Sequence, residues 1–165
     1  MLNLSKLFKR NKDKPNHKLI PSTIEGDEKI IRAVYSPINL NKGDSKKLNN
    51  GFYKPQAGRD DISVNRLNFT TADFCKKLAI NFENKECRRN YFGFSLLNAI
   101  EIRQSEFGLI SSPIKEPFEN PFHADIKIGH VVLRGVPLPS EVSFRIKKMT
   151  ENSRFYIDSN PDIEI

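Results

Sequence analysis

A histidine and a carboxylate stand two residues apart in the segment from Asn120 to Gly129, which contains the sequence Phe-His-Ala-Asp-Ile-Lys-Ile. If this segment is a β-strand, its alternation places His123, Asp125 and Lys127 on one face and the apolar residues between them on the other. Histidine is the side chain whose ordinary pKa lies nearest to neutral pH, so it is well suited to proton transfer. The spacing therefore predicts a polar site on one face of a strand.

This site has two interpretations. In the enzymatic one, His123 acts as the acid or base and Asp125 orients it. Ser63, Arg66 and Arg32 from other strands would then supply further polar contacts and a cation for a phosphate or a carboxylate. In the structural one, His123 and Asp125 are hydrogen-bonded residues at a strand edge, because His-x-Asp pairs are common and polar clusters mark functional sites only in some cases. We expect the structural interpretation to hold.

A second set of residues mixes aromatic and basic side chains between the first two predicted strands. Binding to a nucleic acid needs both stacking and phosphate contacts, which this mixture offers. The set consists of Lys46, Lys47, Phe52, Tyr53, Lys54 and Arg59. The alternative is that the phenylalanine and the tyrosine cover the core from a loop. The set predicts a binding surface for a partner.

The sequence contains no common signature of a catalytic or metal site, such as a phosphate-binding glycine-rich loop, H-E-x-x-H or G-x-S-x-G. His123 and His130 would lack a third metal ligand. We therefore expect no metal and no cofactor. Cys75 and Cys87 are predicted to be free thiols in a reducing cytoplasm, with Cys75 buried on the apolar face of a helix.

The positive charge is concentrated near the N-terminus. The chain of 165 residues has a formal net charge of +7, and residues 1–18 hold six basic side chains against one acidic side chain. We predict that residues 1–27 form a basic, disordered leader. Such a leader attracts a nucleic acid, an anionic membrane or an acidic protein.

The remaining pattern predicts one α+β domain over residues 28–157, followed by an acidic tail over residues 158–165. We expect one mixed or antiparallel sheet packed by about two helices. The predicted strands cover residues 29–35, 61–67, 91–97, 109–112, 122–128 and 155–157. No segment reaches the roughly 18 uninterrupted apolar residues that a membrane span needs.

Helical spacing of apolar residues predicts two helices. The first covers residues 72–82 and is capped by Thr70 or Thr71. The second begins at Ser140 and carries Val142, Ile146 and Met149 on one face. Residues 39–50 are polar and rich in turn-forming residues, so they are predicted to be a long exposed loop.

Four pieces of the chain carry a resemblance to known proteins. They are the segment from Ile31 to Pro37, Gly-Phe-Tyr-Lys at residues 51–54, Asp-Ile-Ser-Val-Asn-Arg-Leu at residues 61–67 and Asn-Pro-Phe-His-Ala-Asp-Ile at residues 120–126. Over residues 28–135 the chain resembles a family of small, largely uncharacterised bacterial proteins, which implies a bacterial cytoplasmic protein. A predicted strand that contains an arginine, followed by one that contains a serine, is also similar to ADP-ribosyltransferases. The paired glutamates of many of those enzymes are absent.

These observations favour a non-catalytic binding or accessory protein of a bacterial cytoplasmic system. It would engage a protein or a polyanionic partner, with the leader as an electrostatic tether and residues 39–50 as a contact surface. The alternative is a small enzyme, a nuclease or a transferase, that acts on a nucleotide or a nucleic acid. In that case His123, Asp125 and a phosphate-holding arginine, Arg66 or Arg32, form its site.

Overall fold

The computed structural model describes residues 2–3, 20–83, 89–117 and 119–158. Within these residues the chain forms an α+β fold, which confirms the predicted class. The strands are β1 (Leu2–Asn3), β2 (Lys29–Ser36), β3 (Leu40–Asn41), β4 (Asp44–Leu48), β5 (Asp61–Arg66), β6 (Asn90–Asn98), β7 (Gly108–Ser111), β8 (His123–Lys127) and β9 (Arg154–Ile157). The helices are α1 (Ala72–Asn81), α2 (Ala99–Gln104) and α3 (Ser140–Asn152).

The main sheet has the strand order β1-β9-β6-β2-β5-β8-β7, and β3 and β4 form a separate hairpin. The neighbours from β9 to β7 are antiparallel, whereas β1 runs parallel to β9. In the described part of the chain, no helix has the length and apolar character needed to cross a membrane.

The two faces of the sheet differ because of strict alternation along its strands. On β5, the even-numbered residues Ile62, Val64 and Arg66 are buried on one face, where the larger apolar core also takes in residues of α2 and α3. On the other face, α1 packs through Cys75 and Ala79 onto apolar residues of β2 and β6. The part of this second face that belongs to β5 and β8 carries polar side chains.

The helix α1 forms where the sequence places a cap before an apolar stripe. Thr71 has extended backbone angles and its side chain accepts a hydrogen bond from the N–H of Phe74. Asp73 lies in the first turn, where a negative charge is favourable. The predicted helix over residues 72–82 and the strands β2, β5, β6, β8 and β9 are therefore confirmed.

The prediction of a long loop over residues 39–50 is wrong. This segment contains the hairpin of β3 and β4, whose buried side chains are Leu40 and Leu48. The helix α2 was also not predicted. It begins directly after β6 because Asn98 and Glu101 form a reciprocal capping box, with the Asn98 N–H donating to Glu101 Oε2 at 2.5 Å.

The predicted leader and tail lie mostly outside the described residues, as does Cys87. The described end of the leader packs onto the domain, since Ile24 is buried and its carbonyl accepts a hydrogen bond from Arg103. At the other end, Asp158 is buried and lies 2.9 Å from the Nζ atom of Lys76 on α1. These residues therefore belong to the packed structure.

Candidate functional site

A cleft of about 620 Å³ opens where the strands β2 and β5 separate. These strands pair only through Ile30 with Arg66 and through Ile31 with Asn65. Beyond these pairs, Ala33 on β2 and Ser63 on β5 line the cleft from opposite sides. The cleft is therefore a gap within the sheet, and α1 borders it on one face.

Two guanidinium groups lie at the cleft. The Cζ atom of Arg32 is 4.5 Å from the ring centre of Phe52 and 5.5 Å from that of Tyr53, and Nη1 donates a hydrogen bond to the Phe52 carbonyl. The Cζ atom of Arg89 lies 4.2 Å from the ring centre of Tyr35. Both guanidinium groups are thus held by aromatic rings through cation–π contacts.

Neither arginine has an acidic partner within the described residues. No carboxylate there lies within 4.0 Å of Arg32 or Arg89, and the buried Nε atom of Arg89 has no hydrogen-bond partner. Burial lowers the pKa of Arg32 to about 10, so its side chain is still charged at neutral pH. Among the described residues, the site therefore holds two positive charges with no carboxylate within 4.0 Å, and the charge of Arg32 is desolvated.

When the two arginines are included, the described cleft lining is more basic than acidic. Lys54 and Arg59 add to the two arginines, whereas the acidic residues in the described lining are Asp61 and Glu116. Asp61 is already neutralised, because its carboxylate lies 2.6 Å from Nη2 of Arg59 and 2.9 Å from Nζ of Lys127. The cleft consequently favours a negatively charged ligand.

One rim of the cleft is apolar. Ile38 and Phe82 line it with 51% and 50% of their surface exposed, and Leu78 of α1 lies beside them. Ligand sites commonly combine apolar walls with a few charged groups that fix orientation. This rim provides an apolar wall, and the arginines provide the charged groups.

His123 lines the cleft, and its ring is held by Ser112. The Nδ1 atom lies 2.8 Å from the carbonyl oxygen of Ser112 and 2.9 Å from its hydroxyl oxygen. A carbonyl oxygen only accepts hydrogen bonds, so Nδ1 must carry the proton. Nδ1 therefore cannot remove a proton from the Ser112 hydroxyl, and Ser112, His123 and Asp125 do not form a nucleophilic triad.

The other ring nitrogen of His123 faces Asp125. The Nε2 atom lies 3.8 Å from Oδ1 of Asp125, and both atoms are buried without a hydrogen-bond partner among the described residues. Because Nε2 is not exposed to the cleft, it does not meet a ligand there in this conformation.

The predicted catalytic residues are divided between the two faces of the sheet. Ser63 is the direct cross-strand neighbour of Asp125, so these two residues lie together as predicted. Arg66 lies on the opposite face, fully buried in an ion pair with Glu28, which corrects its assignment to the site. Arg32 has the same alternation on β2 as Ile30 and Val34, which lie on that opposite face, and it also lines the cleft.

The predicted binding residues separate in a similar way. Phe52 and Tyr53 are 2% and 1% exposed and lie in the core, which corrects their assignment as a stacking surface. Lys46 and Lys47 are exposed on β4, where Lys47 lies 3.3 Å from Asp44. Of this set, the cleft lining includes Phe52, Lys54 and Arg59.

The sequence did not reveal the role of Arg89, which directly precedes β6 in a charged segment. It meets the cleft only because β6 lies beside β2, with Asn90 opposite Ser36. No group of three or more residues that could bind a metal occurs in the described part of the chain. The Cys75 thiol is buried, and burial raises its pKa to about 12, so it is a poor nucleophile.

Comparisons with protein-family models, with curated proteins and with solved structures found no match to this chain. A fold alone does not define a function, since one fold supports many activities. The function is therefore inferred from the geometry and the charges of the cleft.

Proposed function

We propose that this protein is a non-catalytic binding protein whose cleft takes the anionic group of a ligand or partner. The observation that carries this proposal is the pair Arg32 and Arg89, which lie at the cleft with no carboxylate within 4.0 Å among the described residues. Burying a cation without a counter-charge is unfavourable. An anion between the two guanidinium groups would offset that cost.

The arginines are positioned before any ligand arrives. Arg32 is fixed by the Phe52 carbonyl and ring, and Arg89 is fixed by the Tyr35 ring. Guanidinium groups bind carboxylates and phosphates through two parallel hydrogen bonds. Because little side-chain freedom remains to be lost on binding, the arrangement favours affinity.

The state of His123 supports binding rather than acid–base catalysis. Its Nδ1 atom is committed to the Ser112 carbonyl, and its Nε2 atom is buried against Asp125. A general acid or base must come within hydrogen-bond reach of the reacting group. In this conformation neither nitrogen is available to a ligand in the cleft.

The test is a titration of the full chain with inorganic phosphate, citrate and a nucleoside monophosphate. Binding is followed through the Nε–H resonances of the arginine side chains by NMR. We expect at least one anion to shift the Arg89 resonance in a saturable way. We also expect Arg89→Gln to weaken binding by about tenfold or more, because a charge-assisted contact is lost.

The matched control is Arg145→Gln. It removes the same charge from α3, where Arg145 lies 2.6 Å from Glu106 and away from the cleft lining. This variant is expected to bind the anion as the unmodified protein does. Equal losses in the two variants, or no saturable binding of any anion, would show that the arginines do not form an anion site.

A further inference from the structure

Within the described residues, the gap between β2 and β5 leaves main-chain groups of a central part of the sheet without a strand beside them. β5 spans six residues, Asp61–Arg66, but only Asn65 and Arg66 have partners on β2. The residues from Asp61 to Val64 therefore have β8 on one side and the cleft on the other. This is a strand edge inside the molecule.

The direction of the main-chain groups of β5 follows from the hydrogen bonds at its end. The N–H of Leu67 donates to Lys29 on the β2 side, whereas the N–H of Arg66 donates to Phe122 on the β8 side. Alternate residues of a strand direct their N–H and C=O groups to the same side. The N–H and C=O of Ser63 are consequently directed toward the cleft.

The same reasoning applies to β2. The N–H of Ala99 donates to the carbonyl of Glu28, so the even-numbered residues face β6. Ala33 therefore directs its N–H and C=O toward the cleft. Tyr35, the next residue with this direction, is satisfied locally because its N–H donates to Asn39 Oδ1 and its carbonyl accepts from the Asn39 N–H.

We propose that the ligand is the acidic end of a peptide that binds in an extended conformation along β5. This inference rests on the proposed function, since it names the class of ligand that the anion site takes. The peptide main chain would exchange hydrogen bonds with Ser63, and its carboxylate would lie between Arg32 and Arg89. An open strand edge is a template for such pairing, with side-chain pockets supplying specificity.

A peptide fits this cleft better than a nucleotide does. A nucleotide base is commonly bound by stacking on an aromatic face. The ring of Tyr35 is covered by Arg89, and Phe52 is buried edge to face against Tyr53 at 4.7 Å with Arg32 over it. These rings are therefore occupied, whereas the main-chain groups of β5 are open.

The apolar rim fits the side chains of an extended peptide. Successive side chains of a strand point to opposite faces of the sheet. The rim residues Ile38, Leu78 and Phe82 border the cleft, and the last two belong to α1 and its C-terminal cap. An apolar residue near the acidic end of the peptide would contact them, which favours a sequence of alternating apolar residues that ends in a carboxylate.

The experiment uses the acetylated peptide Val-Thr-Val-Thr-Glu with the full-length chain. Three further compounds are compared with it. Two are modified peptides, namely its C-terminal amide and a form with alternate main-chain nitrogens methylated. The third is inorganic phosphate. We expect the peptide to shift the main-chain N–H resonances of Ser63 and Ala33. N-methylation should weaken binding by about tenfold or more, because each blocked amide loses a hydrogen bond. The C-terminal amide lacks the terminal carboxylate but keeps the glutamate side chain. It therefore shows which of these two acids the protein recognises.

A protein variant reports on the same edge. Ser63→Pro removes the N–H that faces the cleft, and we expect it to weaken peptide binding. Arg145→Gln, which lies away from the cleft lining, is the control and is expected to bind the peptide as the unmodified protein does. If the proline variant does not fold, the methylated peptide gives the answer.

The inference and the proposed function fail in different ways. If phosphate binds through Arg89 while the peptide and its methylated form bind equally, the peptide inference is overturned and the anion site stands. A nucleotide that binds while the peptide does not would also overturn the peptide inference and leave the anion site standing. If neither phosphate nor any peptide binds, both proposals are overturned.

Discussion

Arg66 and Glu28 form a two-point ion pair in the interior, with Nε 2.8 Å from Oε2 and Nη2 2.8 Å from Oε1. The same guanidinium donates to the carbonyls of Pro21 and Thr23. Arg66 thus ties the segment that precedes β2 to the strand β5. The ion pair with Glu28, rather than a ligand, therefore accounts for the burial of Arg66.

Replacing Arg66 with methionine leaves the Glu28 carboxylate buried without its partner. We expect Arg66→Met to lower the free energy of unfolding by about 3–5 kcal/mol, measured by urea denaturation. The double variant with Glu28→Gln should recover part of this loss because the unpaired charge is gone. A loss below about 1 kcal/mol, typical of surface ion pairs, would contradict the structural role.

The tautomer of His123 can be measured directly. The distance of 2.8 Å between Nδ1 and the Ser112 carbonyl oxygen predicts that the neutral ring carries its proton on Nδ1. Long-range ¹H–¹⁵N correlation spectra at alkaline pH distinguish the two nitrogens. The exposed His130 supplies the reference signal, and a proton on Nε2 of His123 would contradict the described hydrogen bond.

Gly93 lies where β6 and β9 approach too closely for a side chain. A Cβ atom there would be 2.1 Å from the carbonyl oxygen of Tyr156 and 3.1 Å from the Cα atom of Ile157. We expect Gly93→Ala to destabilise the protein by about 1–3 kcal/mol or more, since backbone must move. Gly58→Ala is the control, because Gly58 has φ +87° but open space around it, and its cost should be on the order of 1 kcal/mol. Thermal unfolding of both variants measures the difference.

The carboxylate of Asp61 should make stability depend on pH. Burial raises the pKa of Asp61, but hydrogen bonds from Lys127 and Arg59 outweigh it and hold that pKa below its ordinary value. The ionised Asp61 carboxylate therefore stabilises the folded protein at pH values above its unfolded-state pKa of about 3.9. This contribution is lost as the pH falls through the lower pKa of the folded state. We expect Asp61→Asn to cost about 1 kcal/mol at neutral pH and nothing at about pH 2. Urea denaturation at both pH values tests this, with Asp27→Asn at an exposed position as the control. An equal loss at both pH values would contradict the assigned cause.

Cys75 should be unreactive in the folded protein. Burial raises its thiol pKa to about 12, so at pH 8 almost none of it is the reactive thiolate. In a Cys87→Ser background, we expect no reaction with a thiol reagent until urea is added. Rapid reaction of the native protein would show that α1 does not bury Cys75 against the sheet.

Much of the polar face was predictable from alternation alone. The period of two along β5 and β8 separated Ser63 and His123 from the apolar residues, and the structure keeps that separation. The same alternation places Arg66 with Ile62 and Val64, away from Ser63. The prediction that Arg66 belongs to the His123 site therefore conflicted with the alternation along β5. An arginine is tolerated in the core at this position because the buried Glu28 pairs with it.

The parts that were not predictable depend on contacts between distant segments. The hairpin of β3 and β4 is polar except for Leu40 and Leu48, so its sequence resembles a loop. Arg89 reaches the cleft because of strand order, which local sequence does not encode. The cleft itself exists because β2 and β5 do not pair beyond Ile31 on β2, which is opposite Asn65 on β5. No residue pattern marks that point.

The separation of β2 and β5 gives the described sheet two inner borders in addition to its outer strands β1 and β7. Borders of this kind ordinarily promote aggregation, because any other sheet can add to them. Here they lie within a cleft, with α1 on one face and Phe52 at its lining. Among the described residues, the unfilled strand position is thus enclosed by the cleft walls, whereas an outer strand of a sheet is open along its length.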